Sequence, residues 1–455
     1  MKRLFLLSLA CAGSLCAVAA PEKTPAAAAE QSVQTRLATI LQDMVKKNSD
    51  DFYDAAALVY DATGDVTAFI RMMSDMADKG NAAAKLWKAR HCYIKAAAQR
   101  RNSAEGLKLL EGAVASRYVP AMVEYAAKAT LQTDDEKLAK RGMSVLMDAC
   151  RQGSSKARAL YLTVSGRIQN GGLTQPEIVS ELKKKNFYLE EMIASLQVEQ
   201  ESGVVWLERA AEHGSSFAPF ILSQAVTDAA KSSQYLQLAV ERHEPAALGH
   251  VGMQTTMAEM VQNGGESAER MAQGMRSLGI AAMLNTPAAV QMLAFLYANG
   301  QGTDIPRERI AELFRLAHEC GEPNGTAGLG YCKVLGAGCL QDVQGGLALM
   351  EQARDKGSNW VNQALASLYF NGDGVKADMR KAIDAFSEDF LNGNRHAYAM
   401  MAVLTALGNA SAKPDPSSAR VYLNMAISGG DVQAQQLYDV FLKEGKWRFM
   451  DDLTR

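Results

Sequence analysis

Histidine and cysteine are scarce in this chain of 455 residues, with 6 and 7 copies, and proline (11 residues) and aromatics (7%) are thin as well. The histidines show no His-Glu-x-x-His spacing and no Gly-x-Ser-x-Gly elbow occurs, so the usual signatures of zinc and serine hydrolases are missing. No cofactor and no metal site is expected. Lys+Arg 48 nearly balance Asp+Glu 50, which leaves no strongly basic surface for a nucleic acid. Beyond the N-terminal leader no stretch approaches the ~18 consecutive apolar residues that cross a bilayer. Runs of β-branched residues are few, which disfavours a sheet.

Glycine, by contrast, is placed with regularity. Gly264, Gly300, Gly336, Gly372 and Gly408 stand 36 residues apart, and Gly321, Gly357, Gly393 and Gly429 keep the same step in a second register. A fixed period of this length marks one supersecondary unit stacked on copies of itself. Residues 359–393 show the unit most cleanly. Ala364, Leu365, Leu368 and Tyr369 fall on one helical face. Gly372 ends that helix, and Gly374 lets the chain pass close to its neighbour. A second helix from about Asp378 buries Ala382, Ile383 and Phe386 and stops at Gly393. At the Phe386 position the other units carry Leu278, Phe314, Met350 and Tyr422.

One such pair cannot bury its apolar face or offset the entropy of ordering its backbone. The expected fold is therefore an all-α solenoid of stacked antiparallel helix pairs, with one continuous core and each pair touching only its neighbours.

Residues 293–321, LAFLYANGQGTDIPRERIAELFRLAHECG, residues 365–393, and residues 204–214, VVWLERAAEHG, carry a family resemblance. The chain resembles the Sel-one-like repeat family, relatives of the tetratricopeptide repeat. The resemblance implies a right-handed superhelix, an adaptor role in which the concave groove holds a protein or peptide, and a secreted or periplasmic setting for some bacterial members. The cysteine-rich branch of the family staples each unit with two cysteines eight positions apart. Here Cys150 and Cys320 stand at the first of those places, but Arg158 and Gly328 fill the second.

Traced backwards, the second-helix ends fall at Asn285, His243, Gly214, Gly153, Tyr118 and Gly80. This gives about ten units, degenerate over 49–173 and regular over 200–430. The wide step from Gly153 to Gly214 predicts an inserted long helix over 174–199, opened by a Thr174/Glu177 capping box and carrying Ile178, Leu182, Leu189, Ile193 and Leu196 on one face. It would be a spacer, or else a partner-binding arm.

The ends have their own patterns. Residues 1–19 combine Lys2 and Arg3, an apolar stretch from Leu4 to Val18, and the small residues Ala17-Val18-Ala19, which predicts a secretory signal cleaved after Ala19. Cys11 offers only a poor lipidation box. A linker at 20–30 and a capping helix at 31–48 with Leu37, Ile40, Leu41 and Met44 should follow; at 431–455 a final helix, with Trp447, Phe449 and Met450 folding back, should close the other end. Of the five later cysteines, Cys92, Cys150, Cys320, Cys332 and Cys339, only Cys332 with Cys339 could pair, the alternative being buried thiols.

Two motif matches carry little chemistry. Ser180 to Lys183 fits Ser-x-x-Lys but lacks the partner motifs of penicillin-recognising enzymes, and Asn371 to Asp378 lacks the carboxylates of a calcium loop. His213 and His318 lie near second-helix ends, where they complement the dipole. By analogy with related solenoids the partner-binding groove is expected at Gln291, Phe295, Asn299, Asn324, Tyr331, Trp360, Gln363, Phe370 and His396, each of which could instead pack between units. The expected protein is a monomeric, non-catalytic scaffold that binds a protein or peptide in the cell envelope. The alternative is an envelope protein that binds or hydrolyses peptidoglycan fragments or β-lactams.

Overall fold

The computed structural model describes residues 25 to 450 apart from 133, 167, 169–172, 197–200, 263–267, 302–304, 392–395, 433, 446 and 448–449. Among the described residues there are twenty-four helices and no strand, only an Asn409–Ala412 bridge within a turn. Helix α1 (Pro25–Lys47) precedes eleven helix pairs, and α24 (Ala434–Glu444) follows them. The pairs that form the first part are α2 (Tyr53–Thr63) with α3 (Val66–Asp78), α4 (Ala82–Ala98) with α5 (Ala104–Val114), α6 (Val119–Leu131) with α7 (Glu136–Arg151), and α8 (Ser155–Val164) with α9 (Pro176–Lys183). Next come α10 (Phe187–Leu196) with α11 (Glu201–Glu212), α12 (Phe217–Ala225) with α13 (Ala229–Glu241), and α14 (Pro245–Gln262) with α15 (Ala268–Met283). The regular units are α16 (Pro287–Ala298) with α17 (Arg307–Glu319), α18 (Pro323–Leu335) with α19 (Val343–Asp355), α20 (Val361–Asn371) with α21 (Met379–Leu391), and α22 (His396–Leu407) with α23 (Pro416–Ser428). The fold is an α-solenoid.

The unit boundaries share one physical device: among the described residues, two or three positions past the end of a second helix the chain turns into the left-handed region, and the next residue starts the following unit. Positive φ is found at Gly80, Arg117, Gly153, Lys185, Gly214, His243, Asn285, Gly321, Gly357 and Gly430. This corrects three expectations. Arg117, not Tyr118, ends its unit, and Gly430 rather than Gly429 takes the positive φ in the last one. Residues 174–199 are not one long helix but the end of one pair and the start of the next, broken at Lys185 (φ 57). The step of 61 residues is thus two ordinary boundaries, one of them marked by a lysine. The Thr174 cap does not form either, since α9 begins with Gln175 at its N-cap and no side-chain bond there.

Gly264 and Gly393 lie outside the described residues, as do the leader at 1–19 and Phe449. Residues 25–30 of the expected linker belong to α1, as their alanine run favours. Leu37 and Leu41 of that helix are fully buried. At the far end Trp447 folds back, its carbonyl accepting from Asn371 Nδ2 at 3.2 Å and its ring 6.2 Å from Phe386. All five cysteines are free thiols, Cys332 completely buried.

The pairs do not touch only their neighbours. The stack curls until its N-terminal pairs lie against pairs some 200 residues later, and this seam is specific. Trp87 Nε1 of α4 donates to Met283 O at the end of α15 (2.7 Å), and Tyr297 OH donates to Gly64 O (3.3 Å). Arg276 forks onto Asp61 (2.6 and 2.8 Å), Arg309 reaches Thr67 Oγ1 (2.8 Å), and Lys95 pairs with Glu319 (2.7 Å). One hydrophobic core therefore joins residues 33–129 to residues 248–450 across the seam, while residues 119–222 hold three smaller clusters. Among the described residues the expected single ribbon is thus divided into four clusters.

His91 lies in the seam, its Nδ1 3.0 Å from Asn285 Oδ1 and its Nε2 buried without a partner. Burial, with the nearby Lys95 charge, holds it down at about 4. Its folded value lies below the unfolded ~6.5, so the unfolded chain binds the extra proton first and stability is lost as pH falls from 6.5 towards 4. His91→Leu removes this proton linkage. The variant's thermal midpoint relative to wild type should therefore improve over that window; a constant difference would contradict the placement.

Candidate functional site

Curling encloses a cavity of about 870 Å³. Its inner wall takes charged residues from each of four successive first helices: Arg90 on α4, Glu124 (with Lys128 one turn on) on α6, Lys156 on α8 and Glu191 on α10. The separations of 34, 32 and 35 residues from Arg90 to Glu124, to Lys156 and to Glu191 follow the local repeat, and the signs alternate along these four positions. Unit ends at Gly214–Phe217, Arg242–Pro245 and Leu284–Asn285 complete the rim.

The connector between α1 and α2 enters this wall. Asp50 Oδ2 receives Arg90 Nη2 at 2.7 Å and Lys156 Nζ at 3.3 Å, while Arg90 Nε reaches Glu124 Oε2 at 3.4 Å. Burial pushes the Asp50 carboxyl up, but Lys156 and Arg90 together outweigh it and hold the group at about 2. Arg90 in turn is raised, since Glu124 and Asp50 outweigh its own burial.

Two aromatic and cationic pairs face the same space. Lys128 Nζ sits 4.6 Å above the Tyr93 ring and Lys156 Nζ 5.4 Å from the Tyr188 ring, a geometry in which the ring face attracts the ammonium. Burial pushes both phenols up to about 12. Phe187 packs on Tyr188 with centroids 4.1 Å apart, and Phe217 remains 47% exposed at the rim. Large apolar side chains left open beside polar groups are the residues that anchor partners.

Two further carboxylates line the cavity. Ser215 Oγ donates to Glu191, and Ser216 Oγ donates to Glu244 at 2.9 Å. Burial raises the pKa of both acids, and Glu244 adds to the shift at Glu191. Arg242 is committed to backbone, donating to Ala211 O at 2.6 Å and to Ser215 O. Among the described residues no group of three or more His, Cys, Asp or Glu could hold a metal ion. Ser180 and Lys183 lie on α9, away from this cavity.

The expected groove over 291–396 does not line the cavity. Tyr331 is completely buried, with its hydroxyl 3.3 Å from Ser367 Oγ, and Phe370 is buried beside Trp447. Both are core residues and offer no face to a partner. Phe295 and Trp360 pack against each other between units, their rings 4.7 Å apart and tilted by 32°. Gln291 accepts from Gly325 N at 3.2 Å, and Asn324 accepts from Ser358 Oγ at 2.9 Å, so both tie one unit to the next. Asn299 Nδ2 donates to Phe295 O at 2.8 Å, and Gln363 is half-buried on α20. The side chain of His396 lies outside the described residues. His213 does meet a charge, though not a helix end alone: its Nδ1 is 2.8 Å from the fully buried Glu190, which Arg209 also reaches at 3.2 Å.

Comparison with known proteins adds the family. The Sel1 repeat model matches residues 88–100, 197–215, 323–358, 363–384 and 395–431. Among solved structures, a Sel1 repeat protein from Oxalobacter formigenes is 21% identical over 69% of this chain and 94% of its own, with a TM-score of 0.34. The protective antigen c5321 of uropathogenic Escherichia coli, described as displaying an SLR fold, is 15% identical over 95% of this chain and 96% of its own, with a TM-score of 0.39. No curated protein matches.

Proposed function

We propose that this chain, a Sel1-repeat protein, holds a protein or peptide segment in the cavity that its curled stack encloses. Sel1 repeats are in general protein-interaction scaffolds; the proposal gives that role a place. What carries it is the lining: aromatic faces at Tyr93, Tyr188 and Phe217 beside charges of both signs, in a space of about 870 Å³. That volume suits a few residues of an extended chain rather than a folded domain. The same reading makes the protein a non-catalytic monomer, and the leader-like residues 1–19 support a location in the cell envelope or outside the cell. No observation favours the peptidoglycan or β-lactam alternative, since its one motif match lies away from the cavity.

The test is photo-crosslinking in the native cells. A benzoylphenylalanine placed at Phe217, on the cavity rim, should capture a partner, whereas the same group at Val421, 57% exposed on α23, should not. Capture from Val421 and none from Phe217 would refute the site.

A further inference from the structure

The connector 48–53 touches the inner wall as a bound peptide would. Its residues reach different units in turn. Asn48 Oδ1 accepts from Val119 N at 3.0 Å, and Ser49 O accepts from Tyr118 OH, both at the start of α6. Asp50 is clamped by Arg90 of α4 and Lys156 of α8. Asp51 meets His243 Nδ1 at 3.4 Å, and the Tyr53 ring stacks on the same imidazole at 3.7 Å and 5°. Residues 49–52 are neither helical nor paired in a sheet. Asn48 and Ser49 are also tied to the end of α1, with Ser49 N donating to Met44 O at 2.9 Å, but Asp50 and Asp51 are held by side chains of the groove, as in peptide capture.

From this geometry we infer that the inner wall is a recognition site for an acidic segment, that the chain's own connector fills it, and that the partner supplies an aspartate or glutamate which replaces Asp50. The inference rests on the cavity being the binding site and names the chemistry of what enters it.

Charge supports this choice of partner. Without Asp50 the Arg90 guanidinium and the Lys156 ammonium lose the carboxylate they share, while the other wall carboxylates, Glu124 and Glu191, stand on the helices α6 and α10, so the patch is cationic locally, at the Asp50 position. Among the described residues no ion pair reaches Lys128. A carboxylate is the group that answers such a patch, and Arg90 can grip it directly while Lys156 acts as a point charge.

Exchange is also affordable in energy. A partner's carboxylate would make the same two ion pairs that Asp50 gives up, so the exchange is nearly balanced and small differences in the flanking contacts decide it. Asp51 is 60% exposed and Asp50 29% exposed at its side chain, so the segment borders solvent and the open cavity. Phe52, 4% exposed, anchors the C-terminal side and keeps a displaced connector close to its site. The tether gives the connector a high effective concentration, so an external segment must bind more tightly than the connector does or extend further into the cavity.

The experiment uses the full chain and a fluorescent hexapeptide of its own sequence, Asn-Ser-Asp-Asp-Phe-Tyr. Binding is read by polarisation to wild type, to Asp50→Ala, and to the double variant Asp50→Ala with Lys156→Ala. Asp50→Ala should bind the peptide at least tenfold more tightly than wild type. The double variant should lose that gain, and a peptide with both aspartates changed to asparagine should not bind. Should Asp50→Ala fail to fold by circular dichroism, Asp50→Asn replaces it and is scored in the same way. Equal affinity for wild type and the Asp50 variant, no binding to the folded variant, or equal binding of the neutral peptide would each overturn the inference. Capture from Phe217 is independent of this outcome: if it persists while the hexapeptide fails, only the acidic-segment reading falls.

Discussion

Trp87→Ala is expected to cost about 3–5 kcal/mol, the range for deleting a large buried aromatic. The indole is 2% exposed, edge-on to Phe69 at 5.4 Å and 89°, and its Nε1 donates across the seam to Met283 O. Truncation leaves that carbonyl buried without its donor, which adds to the loss of packing. Trp87→Phe keeps much of the apolar area but leaves the same carbonyl without its donor, so about 1–3 kcal/mol is expected for it. Denaturant unfolding separates the two variants. In an open stack Trp87 would touch only adjacent units, and hydrogen exchange in the alanine variant would rise only around α4. With the seam closed, exchange should rise in α15 as well, although it lies almost 200 residues away. Protection of α15 unchanged in a destabilised variant would count against the contact.

Gly279→Ala should also destabilise, and here the sign itself is informative. Gly279 lies inside α15, where replacing glycine by alanine ordinarily gains about 1 kcal/mol of helix stability. A methyl group built there, however, would stand 1.9 Å from Cε2 of Tyr60 on α2. Tyr60 cannot step aside easily, because it shares a hydrogen bond with Tyr297 and is packed, half-buried, against the core. Overpacking of this kind costs about 1–3 kcal/mol or more, so a net loss of about 2 kcal/mol is expected at a site where helix preference alone predicts a gain. A raised thermal midpoint would show that α2 and α15 are apart.

Much of this fold was legible because its punctuation is periodic. Gly300, Gly336, Gly372 and Gly408 all take positive φ, and Gly374 does approach its neighbour: a Cβ there would meet Val334 O at 2.4 Å. The reading failed where another residue type does a glycine's work. Lys185 and Arg117 adopt the left-handed conformation at φ 57 and 54, which costs a side-chain-bearing residue something but is not forbidden. Glycine spacing passes over them, and so the sequence of the two short helices α9 and α10 resembles one long helix.

The seam was invisible for a different reason. Asp61 and Arg276 are 215 residues apart, and nothing in a nearest-neighbour repeat says where the superhelix will meet itself. Gly279 did leave a trace, as an isolated glycine within a helical pattern with no turn to make, which usually marks close packing. The site had a trace too. Arg90, Glu124, Lys156 and Glu191 are charges on first helices at the local repeat spacing, and that periodicity could have directed attention to the N-terminal half. The expected groove went instead to the regular units, where Tyr331 and Phe370 follow the apolar pattern because they are core.

Carbodiimide coupling, which joins an amine to a carboxylate only when they are in contact, tests the closure of the stack most directly. Lys95 Nζ and Glu319 Oε2 are 2.7 Å apart across the seam, and Lys88 Nζ and Asp78 Oδ1 are 2.9 Å apart within one neighbourhood and serve as the control. Digestion of the monomer fraction followed by mass spectrometry should yield both amide-linked peptides. Recovery of the Lys88–Asp78 product with no Lys95–Glu319 product would mean that the ends of the arc stand open and that the walled cavity does not exist.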